Sequence, residues 1–445
     1  MKKPLDVIII GGGLSGLSAG YFLSKKDKKV LILEKESWVG GRAHSIIKEG
    51  YTIDRGAMYL LFIGKNTKTC LDDLGLSKKV INVSKKFSFL KNDEVIEINF
   101  SKRNLIGTFI GSKLFNFESK INPQTYLFLI KCIIAFRNIK ADYNNFERHN
   151  FSSGAEILCK YFSKKTVEEV FVPISETFLF ANLKDVSSAI VMVLLGAILD
   201  PENKIKYVEG GFGEISNGLF NKIKDKKNKI LTEEVSTIVK QKLFKITTKS
   251  GKIFFAKSVI SSIPIPLLKD VFPNAILNHS HVLYSKIICD NIALTSPIEK
   301  IKDNHLIFLK AMSKSPIVLI GESTAKSKKS APDGKGLLYV LLSPSISKKM
   351  FKFGQKKIEK VIDNELQKLF PEYLEKRKFH NVNVWSHAFT LTNREYFEKR
   401  GNETKINGFF ICGDSVTVGL DGVMESGRIA AELSDSYLRS NNDLS

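Results

Sequence analysis

Glycines at fixed spacing stand near the start of the chain, directly after an apolar run. The pattern G-x-G-x-x-G follows residues 6–10, and apolar residues then recur at helical spacing. Phosphate can approach a backbone that has no side chains, and the first N–H groups of a helix attract its negative charge. The residues predicted to hold phosphate are Gly11, Gly13, Leu14, Ser15 and Gly16.

A second apolar run ends in an acid at the distance that a nucleotide-binding unit requires. Lys29–Glu34 has the pattern of a buried strand, and its acid stands ~20 residues beyond the glycines. Strand, turn, helix and strand form a βαβ unit that binds a dinucleotide. Glu34, followed by Lys35, can accept hydrogen bonds from ribose hydroxyls and disfavours the 2′-phosphate of NADP.

The next glycine pair indicates which dinucleotide is bound. Glu34 is followed by Gly40-Gly41-Arg42 without a second βαβ crossover. This arrangement resembles the flavoprotein superfamily of flavin amine oxidases, protoporphyrinogen oxidases and phytoene desaturases. The resemblance implies non-covalent FAD, with Gly40 and Gly41 close to its pyrophosphate and Arg42 alongside.

Two further segments carry the same resemblance. Asp54-Arg-Gly-Ala is similar to the superfamily pattern beside the isoalloxazine ring, and residues 408–427 are similar to its C-terminal flavin motif. In that motif an aspartate binds the ribityl chain, and a helix start stabilises the reduced ring. The resemblance assigns these places to Gly56, Ala57, Met58, Gly413, Asp414, Gly422, Val423 and Met424.

The order of the motifs predicts the fold class and the domains. Val235 lies in a segment that resembles the strand contacting adenine. The expected fold is α/β (α+β): a discontinuous Rossmann-like FAD-binding domain of GR2 type with an inserted substrate domain of mixed sheet and helices. We assign residues 1–86, 205–266 and 402–445 to the first domain and residues 87–204 and 267–401 to the second. Spacing predicts helices in 87–204, with a part in 100–200 that could face a membrane.

The expected chemistry is hydride removal from a substrate C–H bond by FAD. Few catalytic side chains are needed, because the cofactor carries the reaction. Catalytic residues remain unknown; Lys286 resembles the amine-oxidase lysine near the flavin, although a solvent-facing strand lysine is the commoner explanation in so lysine-rich a chain. The seven histidines show no metal spacing, so no metal site is predicted.

Departures from the amine-oxidase pattern favour a hydrophobic substrate. Gly419 stands where amine oxidases of this superfamily place an aromatic residue, whereas the segment around Trp385 resembles porphyrinogen oxidases and desaturases. We therefore expect an FAD-dependent oxidase or desaturase that acts on CH–CH bonds of a porphyrinogen or an isoprenoid, with oxygen or a quinone as electron acceptor. An amine or amino-acid oxidase, a reduced-flavin isomerase and a non-redox binding protein are the alternatives.

Composition constrains the partners and the compartment. The net charge is +22, and the lysines are scattered along the chain. Compositional bias, attraction to an anionic membrane surface and nucleic-acid binding could each explain this charge. Nucleic acid is not expected as a partner, because the lysines form no clustered stripe. The five cysteines form no C-x-x-C pair, and no secretory signal pattern is complete. We expect a cytoplasmic protein, with peripheral membrane contact left open.

Overall fold

A computed structural model describes residues 3–91, 94–100, 107, 111–115, 117–142, 145, 148–149, 152–226, 228–276, 281–309 and 315–441. Its strands are β1 (Leu5–Ile10), β2 (Val30–Glu34), β3 (Ser45–Lys48), β4 (Tyr51–Asp54), β5 (Val80–Asn82), β6 (Lys86–Lys91), β7 (Glu94–Asn99), β8 (Lys206–Val208), β9 (Lys229–Thr232), β10 (Val235–Lys240), β11 (Phe244–Thr248), β12 (Ile253–Ser261), β13 (Ile287–Leu294), β14 (Ile307–Leu309), β15 (Ile317–Glu322), β16 (Gly336–Leu342), β17 (Arg377–Trp385) and β18 (Phe409–Ile411).

The helices lie between these strands, so the fold is mixed α/β as the sequence predicts. They are α1 (Leu14–Ser24), α2 (Lys65–Asp73), α3 (Phe117–Ile121), α4 (Pro123–Ala141), α5 (Gly154–Cys159), α6 (Lys164–Thr166), α7 (Val172–Phe178), α8 (Ser188–Leu199), α9 (Gly213–Asp225), α10 (Ile265–Val271), α11 (Ser323–Lys326), α12 (Pro344–Met350), α13 (Gln355–Leu369), α14 (Tyr373–Lys376), α15 (Arg394–Lys399) and α16 (Gly419–Ser440).

The first sheet carries the glycine turn at the carboxyl end of β1. Its order is β10-β11-β12-β1-β2-β9, and β18 pairs with β12. β1 runs parallel to β2 and β12, with Ile9 opposite Ile32 and Ile260. All three side chains are fully buried, because helices cover both faces of a parallel sheet. α1 links β1 to β2 and packs against α16.

The second sheet has the order β17-β13-β16-β15-β14-β6-β7. Its pairs are antiparallel except β14 with β6. One face packs Ile288 and Ile292 against Ile358 and Ile362 of α13, and the other face buries Phe308 beneath α7. The domain boundaries given above remain a prediction.

One local expectation was wrong. Residues 86–99 form the hairpin β6–β7 rather than helix, because Phe87, Phe89 and Ile98 alternate with polar residues and bury one face. Strand β13 begins at Ile287, because Ser285 instead bonds to the loop around Phe389. Within the described residues, no helix is both long and apolar enough to cross a membrane.

Candidate active site

The turn after β1 is closed so tightly at Gly11 and Gly16 that neither position accepts a side chain. Gly11 has φ of +95°, a region that favours glycine, and donates its N–H to the carbonyl of Leu33. A Cβ atom on Gly16 would lie 2.2 Å from the carbonyl oxygen of Gly11 and 2.7 Å from Oγ of Ser262. α1 can therefore begin directly above the turn only because position 16 has no side chain.

The start of α1 is open. Its N-cap is Gly13, and no side chain caps the helix. Among the described residues, no atom lies within 4 Å of a Cβ atom built on Gly13. The first-turn N–H groups, which include those of Leu14 and Ser15, have no side-chain cap, as a phosphate-binding helix start requires.

Glu34 is held beside this turn. Its carboxylate accepts hydrogen bonds from the backbone N–H groups of Gly12, at 2.6 Å, and Glu36, at 2.9 Å. The carbonyl of Glu34 accepts a bond from Glu233, which places the start of β10, at Val235, next to the carboxyl end of β2. Lys35 is exposed. Their contacts with the nucleotide stay a prediction.

The second glycine cluster joins the first. Gly40, with φ of +103°, donates its N–H to the carbonyl of Gly12 and forms a parallel bridge with Gly13. A Cβ atom on Gly41 would lie 3.4 Å from Cα of Gly13. The following 3₁₀ turn, Gly41–Ala43, directs Arg42 away from this contact toward the C-terminal segment.

Arg42 reaches Asp414 from the far end of the chain. Its Nη1 atom lies 2.6 Å from Oδ2 of Asp414 and 2.7 Å from the carbonyl oxygen of Ala388, to which it also donates. Burial opposes the charged form, yet the carboxylate of Asp414 raises the pKa of Arg42. Asp414 is buried, and its backbone carbonyl accepts a bond from Tyr396.

The segment after β4 lies against the same arginine. The N–H of Ala57 donates to the carbonyl of Arg42 at 2.8 Å, and a Cβ atom on Gly56 would lie 2.5 Å from that oxygen. Ala57 and Met58 are half-buried. Their backbone is thus fixed beside the Arg42–Asp414 pair.

The C-terminal helix packs directly on the first helix. A Cβ atom on Gly427 would lie 2.3 Å from the carbonyl oxygen of Ser15, and Ser18 donates to the carbonyl of Met424 at 2.7 Å. The N–H of Gly413 donates to Ser426. The start of α16, with Gly422 and Val423, is thereby held near the start of α1.

Lys286 lies just before β13 and is exposed, between the buried residues Ser285 and Ile287. Its ammonium stands 5.2 Å from the ring centroid of Phe351, a residue packed with the α12–α13 layer. Ile288 and Ile292, two and six residues further along, also face that layer. A role for Lys286 at the cofactor stays a prediction.

Buried charged residues that the sequence analysis did not single out include Lys326 and Glu176. Lys326 lies 3.4 Å from Asp54, with exposed side-chain fractions of 3% and 5%. Burial lowers the pKa of Lys326, and the carboxylate opposes this shift. Glu176 is buried in α7, and a signal was available: it is the one charged residue in the run 170–183.

The arrangement matches one family over most of its length. The family model described as "Flavin containing amine oxidoreductase" matches residues 14–433. The chain belongs to the flavin-containing amine oxidoreductase family. The resemblance drawn from the glycine motifs is thereby confirmed, and the family implies FAD as the cofactor.

Curated relatives of this flavin oxidoreductase carry several activities in their names. This chain is 27% identical to "Probable flavin-containing monoamine oxidase A" of Dictyostelium discoideum over 273 residues, which are 59% of this chain and 58% of the relative. It is 34% identical over 82 residues, 17% of each chain, to coproporphyrinogen III oxidase of Bacillus subtilis (strain 168). These matches thus span less than two thirds of the relatives' length.

A solved structure shares the fold throughout. Cyclohexylamine oxidase from Brevibacterium oxydans IH-35A has a TM-score of 0.70 at 16% identity, covering 99% of this chain and 100% of that chain. The residues of this flavin oxidoreductase fit FAD, because an uncapped helix start, an open space at Gly13 and the Arg42–Asp414 pair lie together. The chemistry of the cofactor would be hydride acceptance from a substrate carbon.

Proposed function

We propose that this protein is an FAD-dependent oxidoreductase that removes a hydride from a carbon atom of an apolar substrate. The observation that carries the proposal is the Arg42–Asp414 pair, which joins the Gly-Gly-Arg loop to the C-terminal motif at 2.6 Å. The backbone of Ala57 bonds to the same arginine. Three segments that the resemblance assigns to one cofactor therefore meet.

The protein's own residues would bind and orient the cofactor non-covalently. The start of α1 would hold the pyrophosphate with N–H groups, and Glu34 would accept the ribose hydroxyls. Asp414 would bind the ribityl chain, with Arg42 beside it. The start of α16 would place its partial positive charge where the reduced ring becomes negative.

Aromatic side chains between the sheet and α7 favour an apolar substrate. Phe178 lies within ring-contact distance of Tyr59 and Phe308, with centroids 6.4 Å apart in both pairs. Phe180 meets Phe389 at 6.3 Å, one residue beyond the carbonyl that accepts from Arg42. Such a wall excludes water and binds apolar surface.

A porphyrinogen or an isoprenoid, oxidised at a CH–CH bond, is the substrate class we place first. The second candidate is an amine, favoured by the family description and by the name of the Dictyostelium relative. Gly419 provides no aromatic side chain at the start of α16, where amine oxidases of this superfamily have an aromatic residue that surrounds the amine. This difference favours a porphyrinogen or an isoprenoid over an amine. Oxygen or a quinone would accept the electrons.

One experiment tests the proposal. The protein is purified with FAD and mixed anaerobically with coproporphyrinogen III, phytoene or cyclohexylamine, and bleaching of the flavin band is followed. We expect bleaching with at least one of them, then recovery when oxygen or a quinone is added. A protein without flavin, or a flavin that none of these compounds and no wider panel of apolar amines bleaches, would contradict the proposal.

We also propose that α4 contacts an anionic membrane surface, from which an apolar substrate could enter. Leu127, Ile130 and Ile134 recur at helical spacing and are 50%, 53% and 51% exposed. Lys131 is exposed on the same helix, and the chain carries a net charge of +22. Apolar side chains flanked by cations are what an interfacial helix requires.

A further inference from the structure

The segment between β4 and α2 is attached at both ends to motifs that the resemblance assigns to FAD. Residues 55–64 belong to no helix and to no strand of either sheet. Near the start of the segment, Ala57 donates its N–H to the carbonyl of Arg42, in the Gly-Gly-Arg loop. At its end, the N–H of Gly64 donates to Oδ1 of Asp421 at 2.7 Å. Asp421 lies in the first turn of α16, so the C-terminal motif holds the far end of this segment.

Asp421 supplies the hydrogen-bond acceptor that the start of α2 lacks. The N-cap of α2 is Gly64, which has no side chain with which to bond the first N–H groups of the helix. The carboxylate from α16 lies at this position instead, where the amino-terminal end of α2 favours a negative charge. Asp421 is only 7% exposed, and a buried carboxylate opposes folding unless it is bonded. The two helices are therefore fixed to each other at this point.

The contact between α2 and α16 is so close that it requires glycine at position 64. A Cβ atom on Gly64 would lie 2.3 Å from Oδ2 of Asp421, and the three atoms nearest to it all belong to that carboxyl group. The backbone of Gly64 has φ of −81°, which other residues adopt readily, so the requirement comes from the carboxylate. Further along α2, Thr67 is fully buried, and its hydroxyl lies 3.7 Å from Sδ of Met424 in α16.

The residues between these two attachments connect the predicted ring position to the aromatic wall. The resemblance assigns Met58 to the ring, and Tyr59, the next residue, contacts Phe178 of the wall. The hydroxyl of Tyr59 lies 3.1 Å from Nδ1 of His305, so this side chain is held from the second sheet as well. The bond to Asp421 fixes the point where the chain leaves this wall and enters α2.

We propose that Asp421 is a positioning residue of the flavin site, which acts through the N–H of Gly64 to fix residues 58–63 beside the ring. This inference rests on the proposed function and adds to it a residue to which none of the motifs gives a role. Asp421 needs no contact with FAD for this purpose. Loss of its bond would free the segment to move, and the surroundings of the bound flavin would change although every group that holds FAD remains.

The test compares the wild type with variants on both sides of the bond. Asp421→Ala removes the acceptor, whereas Asp421→Asn keeps an acceptor oxygen at the same place. Gly64→Ala retains both bonding groups but puts a methyl group where the carboxylate lies. The double variant combines Asp421→Ala with Gly64→Ala. The matched control is Asp72→Ala, which removes an exposed carboxylate from the other end of α2, where it accepts a bond from Ser77.

The first measurement is hydrogen exchange of the amides of residues 58–65 in the protein without FAD. We expect exchange about 10-fold faster in Asp421→Ala and in Gly64→Ala, because each loses a hydrogen bond to a charged group. Asp421→Asn and Asp72→Ala should exchange close to the wild-type rate. The double variant should exchange no faster than the faster single variant, since alanine at position 421 leaves space for the new methyl group. Wild-type rates in both single variants, or effects that add in the double variant, would overturn the inference.

The second measurement is visible circular dichroism of the bound flavin, at equal saturation with FAD. We expect the flavin bands to change in Asp421→Ala and in Gly64→Ala, and to keep the wild-type shape in Asp421→Asn and in Asp72→Ala. If Asp421→Ala does not fold, Gly64→Ala decides the result. Faster exchange with unchanged flavin bands would show that the bond only stabilises α2, which would overturn the inference and leave the proposed function intact. A wild-type protein that binds no FAD would contradict the proposed function, and this inference with it.

Discussion

Arg42 and Asp414 are 372 positions apart in the chain, yet Nη1 of Arg42 lies 2.6 Å from Oδ2 of Asp414. The pair connects the loop after the βαβ unit to the strand end before the last helix. β1, which begins the βαβ unit before Arg42, and β18, which precedes Asp414, do not pair with each other. Both pair with β12, which lies between them and so brings the two ends of the chain together. The pair is the point where cofactor-binding segments from both ends of the chain converge.

Loss of this pair should release the cofactor. Asp414→Ala leaves the Arg42 guanidinium without its carboxylate and removes the predicted ribityl contact, so we expect FAD to bind about 10- to 100-fold more weakly. Equilibrium dialysis of flavin against apoprotein measures this. Glu425→Ala, which breaks an ion pair further along α16, is the control and should retain FAD. Equal retention by both variants would contradict the role given to Asp414.

Alanine at two glycines of one turn should have opposite consequences. At Gly13 no described atom obstructs a Cβ atom, so Gly13→Ala should fold normally but obstruct the pyrophosphate and lose FAD. At Gly16 the Cβ atom would meet the backbone at 2.2 Å, and we expect a loss of about 1–3 kcal/mol in the free energy of unfolding. Urea unfolding and flavin content of both variants check this. A Gly13→Ala protein that keeps full FAD occupancy would argue against a phosphate at this position.

Breaking the buried pair between Lys326 and Asp54 should destabilise the protein. Lys326→Met leaves the carboxylate with only its neutral donors, and we expect a loss of about 2–4 kcal/mol. The control is Lys329→Met, whose exposed pair with Glu209 should contribute less than about 1 kcal/mol. Chemical denaturation of both variants measures the difference. Equal losses in the free energy of unfolding would show that the buried pair contributes no more to stability than the exposed pair.

The His380 cluster should make stability depend on alkaline pH. His380 lies between Asp290 and Asp363, and although burial opposes its charged form, these two carboxylates raise its pKa to about 9. A raised pKa stabilises the fold fully below the ordinary value of 6.5, and this contribution disappears as pH rises through about 9. Urea midpoints measured from pH 6 to pH 10 should fall over that window in the wild type. His380→Gln should flatten the fall, and an unchanged slope would contradict the assignment.

Polar substitutions on α4 should abolish lipid binding if the helix contacts a membrane. We expect the wild type to sediment with vesicles that contain phosphatidylserine, less so at high salt, since screening weakens the attraction of lysines to lipid. The double variant Leu127→Ser and Ile134→Ser should remain in the supernatant. Ile253→Ser, at an equally exposed position in β12, serves as the control. Sedimentation of the double variant at the wild-type level would contradict the proposal.

The sequence by itself determined the parts of the site that depend on backbone. Gly11, Gly16 and Gly40 hold positions where a turn or a close approach excludes any side chain, and such requirements are local and visible in the residue types. Glu34 follows from the fixed length of one βαβ unit. The helical spacing within residues 100–200 likewise predicted helices there, such as α4 and α8.

Only the tertiary structure decided which charged groups are buried and which of them have partners. Lys326 looks like any of the many lysines until β4 and α11 enclose it against Asp54. Glu176 looks like a surface acid until the packing of α7 against the second sheet leaves it only 6% exposed. The physical reason is that desolvation and pairing depend on residues brought together from distant parts of the chain, which no local pattern encodes.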